Sequence, residues 1–215
     1  MNSSDNPLRL GGSFLLLLVG SVAVGAETVF EDDFAEGLTR WEVLDPETWR
    51  HNDDGTVEIT ARPSGYKPPH RSPGHVALAK DATLGTCSIT FRVKSTLDTG
   101  PHRDCCVFFG WQDPARFYYV HLGARPDPHS GQIMLVDGAD RVALTGNERH
   151  VPWGDSWHTV RLERDIKTGR VAVYFDDLTT PLMEVTDTSF GSGRFGIGSF
   201  DDLNAFDDIR VETAE

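Results

Sequence analysis

Gly193-Arg194-Phe195-Gly196-Ile197-Gly198-Ser199-Phe200-Asp201-Asp202, followed by Phe206-Asp207-Asp208-Ile209-Arg210-Val211, decides how this chain is read. Each half alternates apolar and polar or small residues, the pattern of a half-buried strand. The polar turn between them marks a hairpin. In this reading Phe195, Ile197, Ile209 and Val211 face a core, and the glycines permit close packing of neighbouring strands.

Upstream, the same period of two recurs. Cys87, Ile89, Phe91 and Val93 alternate with Ser88, Thr90, Arg92 and Lys94. Trp157 to Arg164 and Arg170 to Phe175 alternate as well, joined by Asp165-Ile166-Lys167-Thr168-Gly169, a turn that needs positive φ at Gly169. Cys105 to Trp111 and Phe117 to Leu122 are apolar on both parities, as expected of strands covered on both faces or lining an aromatic groove. Val29 to Phe34, Trp41 to Leu44, Trp49 to His51, Gly55 to Thr60, Val76 to Ala79, Ile133 to Val136 and Arg141 to Leu144 complete about a dozen short strands. No helix stands out. Strands of this number and length predict an all-β, two-sheet antiparallel jelly-roll sandwich rather than a smaller immunoglobulin-like domain.

The chain has 215 residues. Residues 1–26 read as a signal peptide: Arg9 precedes the apolar run Phe14 to Val19, and Val24-Gly25-Ala26 fits a cleavage site before Glu27. The apolar run is too short to span a bilayer comfortably. Residues 27–215 then form one domain, secreted or periplasmic, with no membrane association once the signal is removed. A net charge of -13 argues against nucleic acid. It also opposes a polyanionic ligand unless basic residues cluster locally. The three cysteines, Cys87, Cys105 and Cys106, allow one bridge from Cys87 to either of the others, or three buried thiols.

Three segments carry a family resemblance: Phe30-Glu31-Asp32-Asp33-Phe34 with Trp41 and Trp49 to Ile59; Trp157 to Arg161 leading to Tyr174-Phe175-Asp176-Asp177; and the closing hairpin. Together they resemble the concanavalin A-like (laminin G-like) jelly rolls, and among these the secreted bacterial 3-keto-glycoside hydrolase-type domains. The resemblance implies a secreted carbohydrate-binding or accessory glycan-processing domain acting on a polysaccharide or glycoside. The alternatives are a polysaccharide lyase or 3-keto-glycoside hydrolase working in the concave groove, and a protein-interaction domain. Whether the chain is an enzyme stays open. The Glu-x-Asp-x-x-Glu of laminarinase-type hydrolases is absent, Gln132-Ile133-Met134 lacks the His of an alginate-lyase Gln-Ile-His, and no HExxH or nucleophile elbow occurs.

The candidate site lies between residues 101 and 141. Taking Tyr118, Val120 and Leu122 as core residues puts Tyr119 and His121 on the opposite face, with Gln132 and Met134 beside them on the next strand. Tyr119, His121 and Gln132 are thus expected to stack on and bond a sugar, with Arg103 and Arg141 supplying charge. The same set could also run a β-elimination, a Tyr or His taking the proton and an Arg stabilising the developing anion. A second expectation concerns Asp32 and Asp207. Simple parity turns both carboxylates inward on adjacent first and last strands, where Ca2+ would relieve their repulsion, as would an Arg such as Arg194. His158 reads as a hydrogen-bonded core or rim histidine.

Overall fold

In the computed structural model, residue 1 and residues 26–213 are described. The expected signal segment therefore lies almost wholly outside the described residues. The fold is a sandwich of two antiparallel sheets. One contains, in spatial order, β13 (Met183–Thr186), β12 (Arg170–Phe175), β11 (His158–Arg164), β6 (Cys87–Ser95), β15 (Asn204–Thr213), β4 (Val57–Ile59) and β3 (Trp49–His51). An eighth strand, β1 (Glu27–Asp32), pairs with β15. The other sheet runs β10 (Val142–Ala143), β9 (Gln132–Asp137), β8 (Arg116–His121), β7 (Cys106–Asp113), β14 (Gly193–Ser199), β5 (His75–Leu84) and β2 (Trp41–Val43). The closing hairpin does not pair with itself. Its first half, β14, sits in the seven-stranded sheet and its second half, β15, crosses to the eight-stranded one. No described helix is long and apolar enough to cross a membrane.

The alternating strands behave as their period dictates. β6 shows a strict buried and half-buried alternation, with Ile89, Phe91 and Val93 fully buried between the sheets. Gly169 has φ 76° in its turn. The strand expected at Val76 to Ala79 runs on to Leu84, because β14 continues alongside it past a register shift at Arg194/Gly196. β13 was not foreseen.

Parity fails at one informative place. Between Asp207 and Arg210 the pairing of β15 with β6 slips, and Asp208 takes φ 49°. The extra residue is a β-bulge, which resets the alternation. Phe206 and Ile209 are both fully buried while Asp207 is turned out of the core. The expectation of two inward carboxylates is thereby corrected. Asp207 pairs with Arg92 at 3.3 Å. Asp32 is buried, accepting from the indole N–H of Trp41 at 2.8 Å and the backbone N–H of Phe34 at 2.9 Å. Each carboxylate has partners of its own, and Arg194 is engaged by Glu42 instead. Among the described residues no group of three or more His, Cys, Asp or Glu side chains is placed to share a metal.

All three cysteines are free and buried. Burial pushes the Cys87 thiol up to about 11 and holds Cys105 and Cys106 well above their ordinary value, so thiolate is scarce near neutral pH. In the folded protein no thiol is expected to react rapidly with Ellman's reagent, and all three should react in denaturant. A reductant should leave the melting temperature unchanged.

Candidate functional site

A second apolar layer lies on the outer face of the seven-stranded sheet. Val76, Leu78, Phe108, Tyr119 and Met134 pack there, covered in part by Leu44 and Phe200. Tyr118, Val120 and Leu122 belong to the main core, so the predicted division of β8 into two faces holds. The consequence differs from the expectation. Tyr119 is fully buried, and Gln132 is 2% exposed. Gln132 donates to the carbonyls of Asp127 and Asn147 and accepts from Thr145 Oγ1 and the Asn147 N–H. Its amide has no capacity left for a sugar hydroxyl. Neither Tyr119 nor Gln132 offers the open surface that stacking requires.

Beyond the His121 end of β8, loops gather into a cleft of about 800 Å³. Residues 71, 101–104, 123, 125–127, 129–130, 140–141 and 200–201 contribute to it. Of the predicted site residues, Arg103, His121 and Arg141 line this cleft. Phe200, Arg71 and Arg125 join them. The Asp127–Ser130 turn is closed by reciprocal backbone bonds of 3.0 and 3.2 Å. Gly131 follows at φ 65°, where a Cβ would stand 2.9 Å from Pro126 Cα. That turn presents the His129 carbonyl to His121 Nδ1 at 2.9 Å. A carbonyl only accepts, so Nδ1 carries the hydrogen. His121 Nε2 faces Asp104 Oδ2 at 3.7 Å, and the ring stacks on Phe200 with centroids 5.5 Å apart.

Asp104 anchors the opposite wall. It is 2% exposed and accepts from Ser199 Oγ at 2.9 Å, Phe200 N at 3.0 Å and Asp201 N at 3.3 Å. Burial alone would raise its pKa, but His121 and these donors outweigh that and hold it below the usual carboxylate range. Asp201 moves the other way, raised by burial and by the neighbouring Asp104. Asp202, fully buried, is also raised by burial, although Ser95 Oγ and Thr99 Oγ1 donate to it. The polar turn of the closing hairpin is thus clamped by Asp104, and it forms a wall of the cleft. Sequence reasoning assigned this turn no ligand role, because its contact with residue 104 spans almost a hundred positions.

The arginines differ in their commitments. Arg103 is tied to the Gly154 carbonyl, Asp155 and Asp98. Arg141 Cζ lies over the Phe200 ring, 4.2 Å from its centroid. Its Nε and Nη1 are buried without a hydrogen-bond partner, as is the Tyr119 hydroxyl. Burial raises the Tyr119 phenol far above its ordinary value, with the Arg141 charge only partly opposing, so it stays a neutral O–H. His121 Nδ1 is held by the His129 carbonyl, its Nε2 faces the Asp104 carboxylate, and Tyr119 is sealed below.

His158, as expected, is a bonded histidine: its ring joins Asp176 at 2.8 Å and the Gly154 N–H at 2.9 Å.

Two facing antiparallel sheets, with a polar loop cleft at one end, define a concanavalin A-like jelly roll. No family model matches the sequence, and no curated protein matches it. Solved structures do. A carbohydrate-binding module of family 66 from Bacillus subtilis superposes with a TM-score of 0.61 at 16% identity, covering 82% of this chain and 98% of that one. The Emp47p carbohydrate recognition domain gives 0.60 at 12% identity, with 91% and 100% covered. An alginate lyase of polysaccharide lyase family 7 gives 0.51 at 15% identity, with 82% and 96% covered. At these identities the likeness establishes the fold.

Proposed function

We propose that this is a secreted carbohydrate-binding domain whose ligand enters the cleft beside His121, and that it binds rather than cleaves. The observation that carries this reading is the composition of the cleft. It is rimmed by Arg71, Arg125 and Arg141, none of which has a carboxylate partner within 4.0 Å among the described residues, while Tyr119 is sealed below and His121 Nδ1 is held by the His129 carbonyl. Binding needs donors; catalysis needs a base within reach of substrate. Proteins of this fold that bind sugars include the family 66 module and the Emp47p recognition domain, and the signal-like N terminus suits export. Affinity electrophoresis against a panel of soluble polysaccharides tests it. Retardation by at least one polymer is expected, with no reducing ends or ultraviolet-absorbing unsaturated products released on long incubation. Product formation would overturn the binding-only reading.

One observation favours a hydrolytic alternative. Asp104 and Asp201 are neighbouring carboxylates shifted in opposite directions, a pattern that suits acid–base chemistry. If turnover is found, Asp201→Asn should abolish it while binding persists.

A further inference from the structure

Two couples of opposite charge line the cleft without closing on each other. Arg71, just before β5, meets Asp140 of the β9–β10 turn through backbone: the Arg71 N–H donates to Asp140 Oδ1 at 2.8 Å. Arg125 and Asp127 lie two positions apart between β8 and β9. All four residues are exposed and contribute to the cleft. Among the described residues no ion pair within 4.0 Å joins either guanidinium to either carboxylate. Each carboxylate is instead steered by a backbone donor. Asp140 Oδ1 takes the Arg71 N–H, and Asp127 Oδ1 takes the His129 N–H at 2.6 Å. Neither Oδ2 and neither guanidinium has a hydrogen-bond partner among the described residues. The backbone beneath is pinned: the Arg141 N–H donates to the Arg71 carbonyl at 3.3 Å, and the Asp127–Ser130 turn is closed from both sides. Keeping such exposed charges apart costs little, because a surface ion pair gains almost nothing over two hydrated ions.

We propose that the cleft selects an uncharged, hydroxyl-rich sugar chain, with one hydroxyl bridging Arg71 and Asp140 and another bridging Arg125 and Asp127. A hydroxyl both donates and accepts. It accepts from a guanidinium N–H and donates to the neighbouring carboxylate, and both bonds are charge-assisted. A sugar carboxylate or sulfate satisfies only the arginines and brings its charge against Asp127 or Asp140. An amino sugar satisfies only the aspartates and meets Arg71 or Arg125. The matched couples thus select against both charged classes, and the chain's net charge of -13 adds long-range repulsion of polyanions. This inference rests on the glycan-binding reading of the same cleft and names its ligand class; its failure is separable from that reading.

The test measures affinity of the purified protein for neutral polymers (dextran, galactan, arabinan, inulin), for anionic dextran sulfate and polygalacturonate, and for cationic chitosan, in about 0.15 M salt. Binding to at least one neutral polymer is expected, with weaker binding to every charged one. The variants R71Q, D140N, R125Q and D127N carry the decisive readout. Each Asn keeps the Oδ1 acceptor for its backbone donor. On the neutral polymer all four should weaken binding, by about fivefold each, the difference between a charge-assisted and a neutral hydrogen bond. An anionic ligand would give opposite signs, the arginine variants weakening binding and the aspartate variants tightening it; that result would overturn the inference. Tightest binding to a charged polymer would overturn it too and leave the glycan reading standing. So would neutral-polymer binding that none of the four variants changes. The two couples are tested independently, so one variant with a lowered melting temperature leaves the other couple to decide. Binding to no polysaccharide at all would overturn both readings.

Discussion

Gly198→Ala is expected to prevent the domain from accumulating in folded form, or to lower its stability by about 4 kcal/mol or more. β14 lies between β5 and β7 in the seven-stranded sheet. A Cβ at residue 198 would stand 1.9 Å from the His75 carbonyl oxygen and 3.1 Å from Phe108 Cε2. The first contact is with backbone, so no rotamer change relieves it. Only separation of two strands would, and that would open both apolar layers at once. Gly196 is nearly as constrained, 2.4 Å from the Ala77 carbonyl oxygen. Gly191→Ala is the matched control, since nothing lies within 4 Å of its would-be Cβ. Circular dichroism melts of the two variants side by side check the claim. Similar melting temperatures would mean that β5 and β14 are further apart than described.

Asp104→Ala is the second large effect, expected at about 3–4 kcal/mol. It removes the acceptor for Ser199 Oγ and for the backbone N–H groups of Phe200 and Asp201. It also leaves His121 without its facing carboxylate. For a domain of this size the loss should lower the melting temperature by roughly 10 °C. The pH dependence follows from the direction of the shift. Asp104 has a folded-state pKa below its ordinary 3.8. Its contribution is therefore present above that value and is lost as pH falls through the depressed folded-state pKa. Asp202, raised by burial, works the other way: its ionisation costs stability as pH rises above 3.8, so Asp202→Asn should be far milder than Asp104→Ala at neutral pH. Urea melts of the wild type and both variants at several pH values separate the two. A mild Asp104→Ala would remove the clamp on the hairpin turn, and with it the preformed wall of the cleft.

The two clamps explain why the hairpin matters to function although it carries no catalytic motif. β14 is held by glycine contacts to its neighbours, β15 crosses to the other sheet, and the turn between them is seized by Asp104. Phe200 is thereby fixed against His121 and Arg141. Stability of the closing strands and shape of the cleft are one property.

Local pattern alone determined much of this protein. The period of two in Cys87 to Ser95 predicts which side chains are buried, because successive strand residues must point to opposite faces. The same rule separated Tyr118 from Tyr119 correctly, and the glycines of β14 announced close packing. Three things waited for the tertiary structure. The bulge at Asp208 reversed the facing of Asp207, since one extra residue against β6 shifts parity and nothing in Phe206-Asp207-Asp208-Ile209 marks where it falls. The burial of Tyr119 depended on which segments fold over the outer face of its sheet, and alternation says only that a residue faces away from the core, not whether water waits there. The cleft itself joins residues 71, 103, 125, 141 and 200 from separate loops. Loop residues have no period to betray their neighbours, so their meeting is decided by how two sheets pack and where each loop must then turn.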